Sequence, residues 1–146
     1  MIGDTLLDGE TFAMLRIGAN GQPGNGVRYY WRDSADCIVG TNGWIIFSAA
    51  TFDQVLYTES TPIGGGALDI NYIIPSATVP ITVPAGSFST YLVLGECVSS
   101  GGYPPIPEWK YPRDYWAEGV GRVKWYDYFA AGWLGYRYEL VRYHVQ

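Results

Sequence analysis

The chain has 146 residues, a formal net charge of −5, and only 16% charged side chains against 48% hydrophobic ones. That length predicts one domain spanning residues 1–146, and the composition argues against disorder. An acidic balance without any basic run argues against nucleic-acid binding and against bulk attraction to an anionic membrane.

Thirteen Tyr, six Trp, nineteen Gly and nine Pro suit strands separated by tight turns. No stretch approaches 18 apolar residues, so no transmembrane helix is expected. The N-terminus, Met1 to Asp8, has neither the basic region nor the apolar core of a signal peptide. Two expectations follow: a cytoplasmic protein, or a mature exported chain whose leader has been removed.

Residues 5–17 predict a hairpin around Asp8-Gly9, a pair that accepts the positive φ angles of a type I′ turn. Residues 18–26, rich in Gly, Asn and Pro, predict a flexible loop. In residues 27–33, Val27, Tyr29 and Trp31 alternate with Arg28, Tyr30 and Arg32, the period of a half-exposed strand. A short strand is expected from Asp36 to Val39. A Thr41-Asn42-Gly43 turn then leads into a short buried run from Trp44 to Phe47. Residues 49–57 offer one or two helical turns as an alternative to strand.

Residues 62–66 predict a loop. Leu68, Ile70, Tyr72 and Ile74 alternate with Asp69 and Asn71 and predict a strand; Val79, Ile81 and Val83 share one face of the next. Pro75, Pro80 and Pro84 indicate edge positions or strand ends there. Residues 88–94 predict a central strand and residues 99–107 a loop. Asp114 to Tyr128 reads as strand, glycine turn, strand, with Gly119 and Gly121 flanking the reversal, where positive φ is cheap for glycine alone. Val123 and Trp125 are expected on one side of the second strand, with Arg122, Lys124 and Tyr126 on the other. A last strand is expected over residues 135–145. Evenly spaced short strands without a helix of ten residues give the fold class: all-β, an antiparallel curved sheet, half-barrel or sandwich, with short hairpins and little helix.

Tyr115-Trp116-Ala117-Glu118-Gly119-Val120-Gly121-Arg122-Val123-Lys124 and Tyr138-Glu139-Leu140 resemble the C-terminal hairpin and last strand of a group of bacterial cell-envelope proteins, often lipoproteins. Val83-Pro84-Ala85-Gly86-Ser87-Phe88 is similar to that group's entry to its central strand, and Gly3 to Phe12 to its opening hairpin. These motifs cover about a fifth of the chain, in order. The group is similar to lipoprotein-carrier-type half-barrels. The resemblance implies an exported protein of the periplasm or cell envelope that holds a lipid or acyl group on a curved sheet. Arg122 stands where the group has an apolar residue, and residues 129–135 form an apolar connection where a polar tip is typical.

Catalytic chemistry has few residues to draw on. The single histidine, His144, is the third residue from the end of the sequence and reads best as an ordinary strand residue. One histidine and the two distant cysteines, Cys37 and Cys97, make no zinc or redox motif. The cysteines could pair in an oxidising compartment or remain two buried thiols. Gly64-Gly65-Gly66 lacks the Lys-Ser/Thr of a phosphate loop. Glu96, Glu108, Asp114, Glu118, Asp127 and Glu139 are the carboxylates from which a glycosidase pair would come, but turn and strand-end acids are ordinary. No cofactor is expected.

The aromatic surplus carries more functional content. Rings can line an apolar groove or stack on sugars, or simply pair across strands. The expected binding residues are Tyr30, Trp109, Tyr115, Trp116, Tyr126, Trp133 and Tyr138. The first expectation is a non-enzymatic exported protein that binds an apolar small molecule, a lipid or a partner protein on an aromatic sheet face. A carbohydrate-binding module or small glycosidase is the alternative. A structural role, as monomer or as a homodimer through strand edges, is a third.

Overall fold

A computed structural model of the protein describes residues 3–16, 28–34, 36–63, 65–102, 104–128 and 135–141. It is all-β and antiparallel, with two unclosed sheets. The sheets lie in two compact units, Met1–Ala50 and Thr51–Val145. Among the described residues no helix is long and apolar enough to cross a membrane.

The first unit is a five-stranded meander: β1 (Gly3–Leu7), β2 (Glu10–Arg16), β3 (Arg28–Ser34), β4 (Cys37–Gly40) and β5 (Ile45–Ser48), each paired with the next. The Asp8-Gly9 turn has φ of 50° and 83°, the positive pair of a type I′ reversal. Phe12, Trp31 and Val39 are buried. Glu10 holds Arg32 at 2.7 Å, and the Arg32 guanidinium lies 6.0 Å from the Phe12 ring centre. The run expected to be buried after Gly43 is not: Trp44 is 41% exposed and residues 45–47 are half-buried. Thr41 to Gly43 turn the chain so that only Ser48 of this strand becomes fully buried. The predicted loop at 18–26 lies outside the described residues.

The second unit holds β6 (Val55–Ile63), β7 (Gly66–Ile73), β8 (Thr78–Val83), β9 (Gly86–Ser99), β10 (Arg113–Ala117), β11 (Gly121–Tyr128) and β12 (Gly135–Glu139). A 3-10 turn at Glu108–Lys110 precedes β10. The order is β12-β11-β10-β9-β7-β6, with β8 also on β9. Leu94 pairs with both Ile73 and Arg113, and Tyr91 with both Thr78 and Trp116. A strand has two edges, so β7 and β8 lie end to end on the edge of β9 opposite β10. Pro80, in β8, therefore sits on a strand with one partner, as its missing N–H requires.

Two expectations are corrected here. Residues 62–66 are not simply a loop: β6 runs through Pro62 and Ile63, β7 begins at Gly66, and Ile63 pairs with Gly66. Gly66 is needed for close approach, since a Cβ there would collide with the Ser100 carbonyl oxygen. Residues 49–57 form no helical turn. Asp53, at φ 56°, bends the chain into β6 and is tied to the β7–β8 junction through Asp53 N–H to Ile74 O (2.8 Å) and Ser76 N–H to Asp53 Oδ1 (3.3 Å).

The core of this unit comprises Leu68, Ile74, Val83, Val93, Ile106, Trp116, Ala117, Val123 and Trp125. Burying side chains of this size contributes about 1.5–3 kcal/mol each for the larger aliphatic members. Cys37 in β4 and Cys97 in β9 are both free, half-buried thiols. Burial pushes the Cys97 thiol pKa up.

Candidate functional site

Strand register decides which side chains share a face. Asp114 pairs with Val93 on one side and Trp125 on the other; Trp125 pairs with Tyr138. Toward the other edge, Tyr72 pairs with Gly95 and with Tyr57. Tyr57, Glu59, Tyr72, Gly95, Val93, Asp114, Trp125 and Tyr138 therefore line one face of the seven-stranded sheet.

Arg122 joins them through an irregularity. The register slips between Tyr115 and Trp116: Tyr115 faces Lys124, but Trp116 faces Arg122, leaving Val123 as an extra residue. Such a bulge breaks the two-residue alternation. Strict alternation put Arg122 opposite Trp125; instead its guanidinium carbon lies 4.4 Å from the Trp125 ring centre, and its Nη2–H donates to Asp114 Oδ1 at 2.6 Å. Lys124 and Tyr126 do face the other way, as expected. Lys124 Nζ bonds Glu139 at 3.0 Å and lies 5.4 Å from the Tyr126 ring centre.

Gly95 sits at the middle of this face. Tyr72 leans over it, stacks on Tyr57 with centroids 4.4 Å apart, and donates its hydroxyl to Glu59 Oε2 at 3.1 Å. Farther along, Trp125 stacks on Tyr138 at 4.5 Å. The two ring pairs bracket the Asp114–Arg122 ion pair, whose side chains are only 17% and 12% exposed.

The electrostatics follow from burial. Desolvation lifts the Asp114 carboxyl above the ordinary aspartate range, opposed by Arg122. Partial desolvation also lifts Asp127, again against Arg122. Burial, then Glu59 and Asp114, push the Tyr57 hydroxyl well above its usual range; burial and Glu59 do the same to Tyr72. Tyr57 and Asp114 stand three strand spacings apart, about 14 Å at about 4.8 Å per spacing on a flat sheet. Among the described residues, Arg122 Nε and Trp125 Nε1 are buried donors without an acceptor.

The residues expected from sequence are dispersed. Tyr138 belongs to this face through its stack on Trp125. Tyr115 and Tyr126 meet edge-on at 6.3 Å, but on the opposite face. Trp116 is 2% exposed and fills the core. Trp109 stands on the 3-10 turn, 46% exposed, with Lys110 Nζ 5.3 Å from its ring centre. Tyr30 is half-buried in the five-stranded sheet, in the other unit. Trp133 and His144 lie outside the described residues. Sequence reasoning did not assemble Tyr57, Glu59, Tyr72 and Arg122. Tyr72 was legible as one of an alternating set, and Arg122 as a departure from an apolar position, but the bulge that unites them has no sequence mark.

No group of three or more His, Cys, Asp or Glu among the described residues is placed to hold a metal ion. No protein-family model matches this chain, no curated protein matches it, and no solved structure matches its fold.

Proposed function

We propose that this chain is a non-enzymatic exported protein of the bacterial envelope that holds an apolar ligand or a partner chain against one face of its seven-stranded sheet. One observation carries the reading: the Tyr57–Tyr72 and Trp125–Tyr138 stacks flank a half-hidden polar centre on a single face. Aromatic walls with a few fixed polar groups are the ordinary make-up of a small-molecule site. The envelope address rests on the resemblance of the C-terminal hairpin and last strand.

Native mass spectrometry on protein purified without detergent tests it. Added mass that disappears on denaturation, and that organic extraction identifies as an acyl compound or lipid, is the expected result. A clean apo mass, with no gain on incubation with lipid extract, would remove the small-molecule form.

A carbohydrate reading draws support from hydrogen-bonding groups set among rings, Glu59 with Tyr72 and Asp114 with Arg122. It predicts retardation on gels containing soluble glycans.

A further inference from the structure

Two buried donors without acceptors among the described residues, Arg122 Nε and Trp125 Nε1, belong to side chains in mutual contact on the aromatic face. Trp125 is 6% exposed. Buried N–H groups almost always have partners, so two neighbouring exceptions mark a place where an acceptor is missing. The sign of the surroundings limits what that acceptor can be. The Arg122 charge is already met by Asp114 at 2.6 Å. Asp127 acts on the same pair, and Glu59 lies on the same face. The nearby cations Lys124 and Arg137 both bond Glu139 on the opposite face. One cation among three carboxylates repels a further anion.

Resting on the ligand reading above, we infer that the apolar ligand carries an uncharged, hydroxylated head, as in a glycerol monoester, which Arg122 and Trp125 bind. A hydroxyl accepts as well as donates. Its oxygen can take the Arg122 and Trp125 N–H groups while its proton goes to Asp114 or Asp127. A carboxylate or phosphate head could accept but not donate, and would add charge of the wrong sign. The flanking rings Tyr57, Tyr72 and Tyr138 then supply the apolar contact for the chain.

Isothermal titration at pH 8 with 1-monolauroylglycerol and with laurate, each below its aggregation threshold, tests this. The monoester should bind at least about tenfold more tightly than laurate, the scale of one charge-assisted hydrogen bond. Trp125→Phe keeps a ring but removes the N–H; it should weaken the monoester several-fold and so narrow its advantage over laurate. Equal affinities, a preference for laurate, or a preference untouched in Trp125→Phe would overturn the head-group assignment and leave the ligand reading standing. Binding of neither compound would overturn the head-group assignment and, with it, the small-molecule form of the ligand reading. If circular dichroism shows that Trp125→Phe does not fold, the wild-type comparison alone decides.

Discussion

Tyr72 occupies the space that a side chain at Gly95 would need. A Cβ on Gly95 would lie 3.1 Å from Tyr72 Cε1, 2.8 Å from Ile70 Cγ2 and 3.2 Å from Pro112 Cδ. The glycine N–H also donates to Pro112 O at 2.9 Å, so the backbone cannot easily retreat. Gly95→Ala should therefore destabilise the protein by about 2 kcal/mol, the usual scale of overpacking. Urea unfolding would show this as a lower midpoint at unchanged slope. An unchanged midpoint would mean that Tyr72 and Ile70 yield without cost.

Asp114 and Arg122 are each other's main compensation in a largely dehydrated place. Removing either one strands the other, so Asp114→Ala and Arg122→Ala should each cost about 3 kcal/mol. The double variant should cost clearly less than the sum. A double-mutant cycle on urea midpoints checks it, and strict additivity would show the two charges to be energetically independent.

Tyr57 and Tyr72 should resist alkali. Both hydroxyls ionise above the ordinary value of 10.0 in the folded protein, because burial and then Glu59 disfavour the phenolate. Above pH 10 the unfolded chain therefore loses protons that the native chain keeps. Stability from these groups is complete below that pH and falls as pH rises beyond it. Titration followed at 295 nm should show a late fraction of tyrosines that ionise only together with unfolding. Replacing both by Phe should remove that fraction. A single unbroken titration near pH 10 would contradict it.

Two tryptophans that look alike in sequence should behave oppositely. Trp116, 2% exposed, should cost about 3–5 kcal/mol as Trp116→Ala. Trp109, 46% exposed on its turn, should cost under about 1 kcal/mol as Trp109→Ala. Thermal unfolding of the pair separates them, and similar losses would place Trp109 in a larger packing role than its exposure indicates.

Much of the strand layout was legible because it depends on local chemistry. Asp8-Gly9 marked its hairpin through positive φ, and Val79, Ile81 and Val83 marked the buried side of β8 through simple alternation. Where sequence reading failed, a distant neighbour was responsible. Gly66 looked like part of a loop, yet it is a strand residue kept small by the Ser100 carbonyl. Trp44 looked buried by hydropathy but lies exposed beside a turn. The binding face was the least legible part. It depends on one slipped residue at Val123, which carries Arg122 to Trp125, and on Gly95, which admits Tyr72. Neither effect leaves a trace in periodicity.

The pairing scheme has a kinetic corollary. Each ladder in both sheets joins strands that follow one another in the chain, apart from the contact of β7 with β9, which spans the inserted β8. β8 lies on the same edge of β9 as β7, so residues 66–99 act as one long hairpin that can zip outward from the reversal at Pro84 and Ala85. Among the described residues no ladder waits on a remote segment to arrive. Loop-closure entropy is thus paid in small instalments, and refolding should run faster than in β proteins whose strands pair across the whole chain.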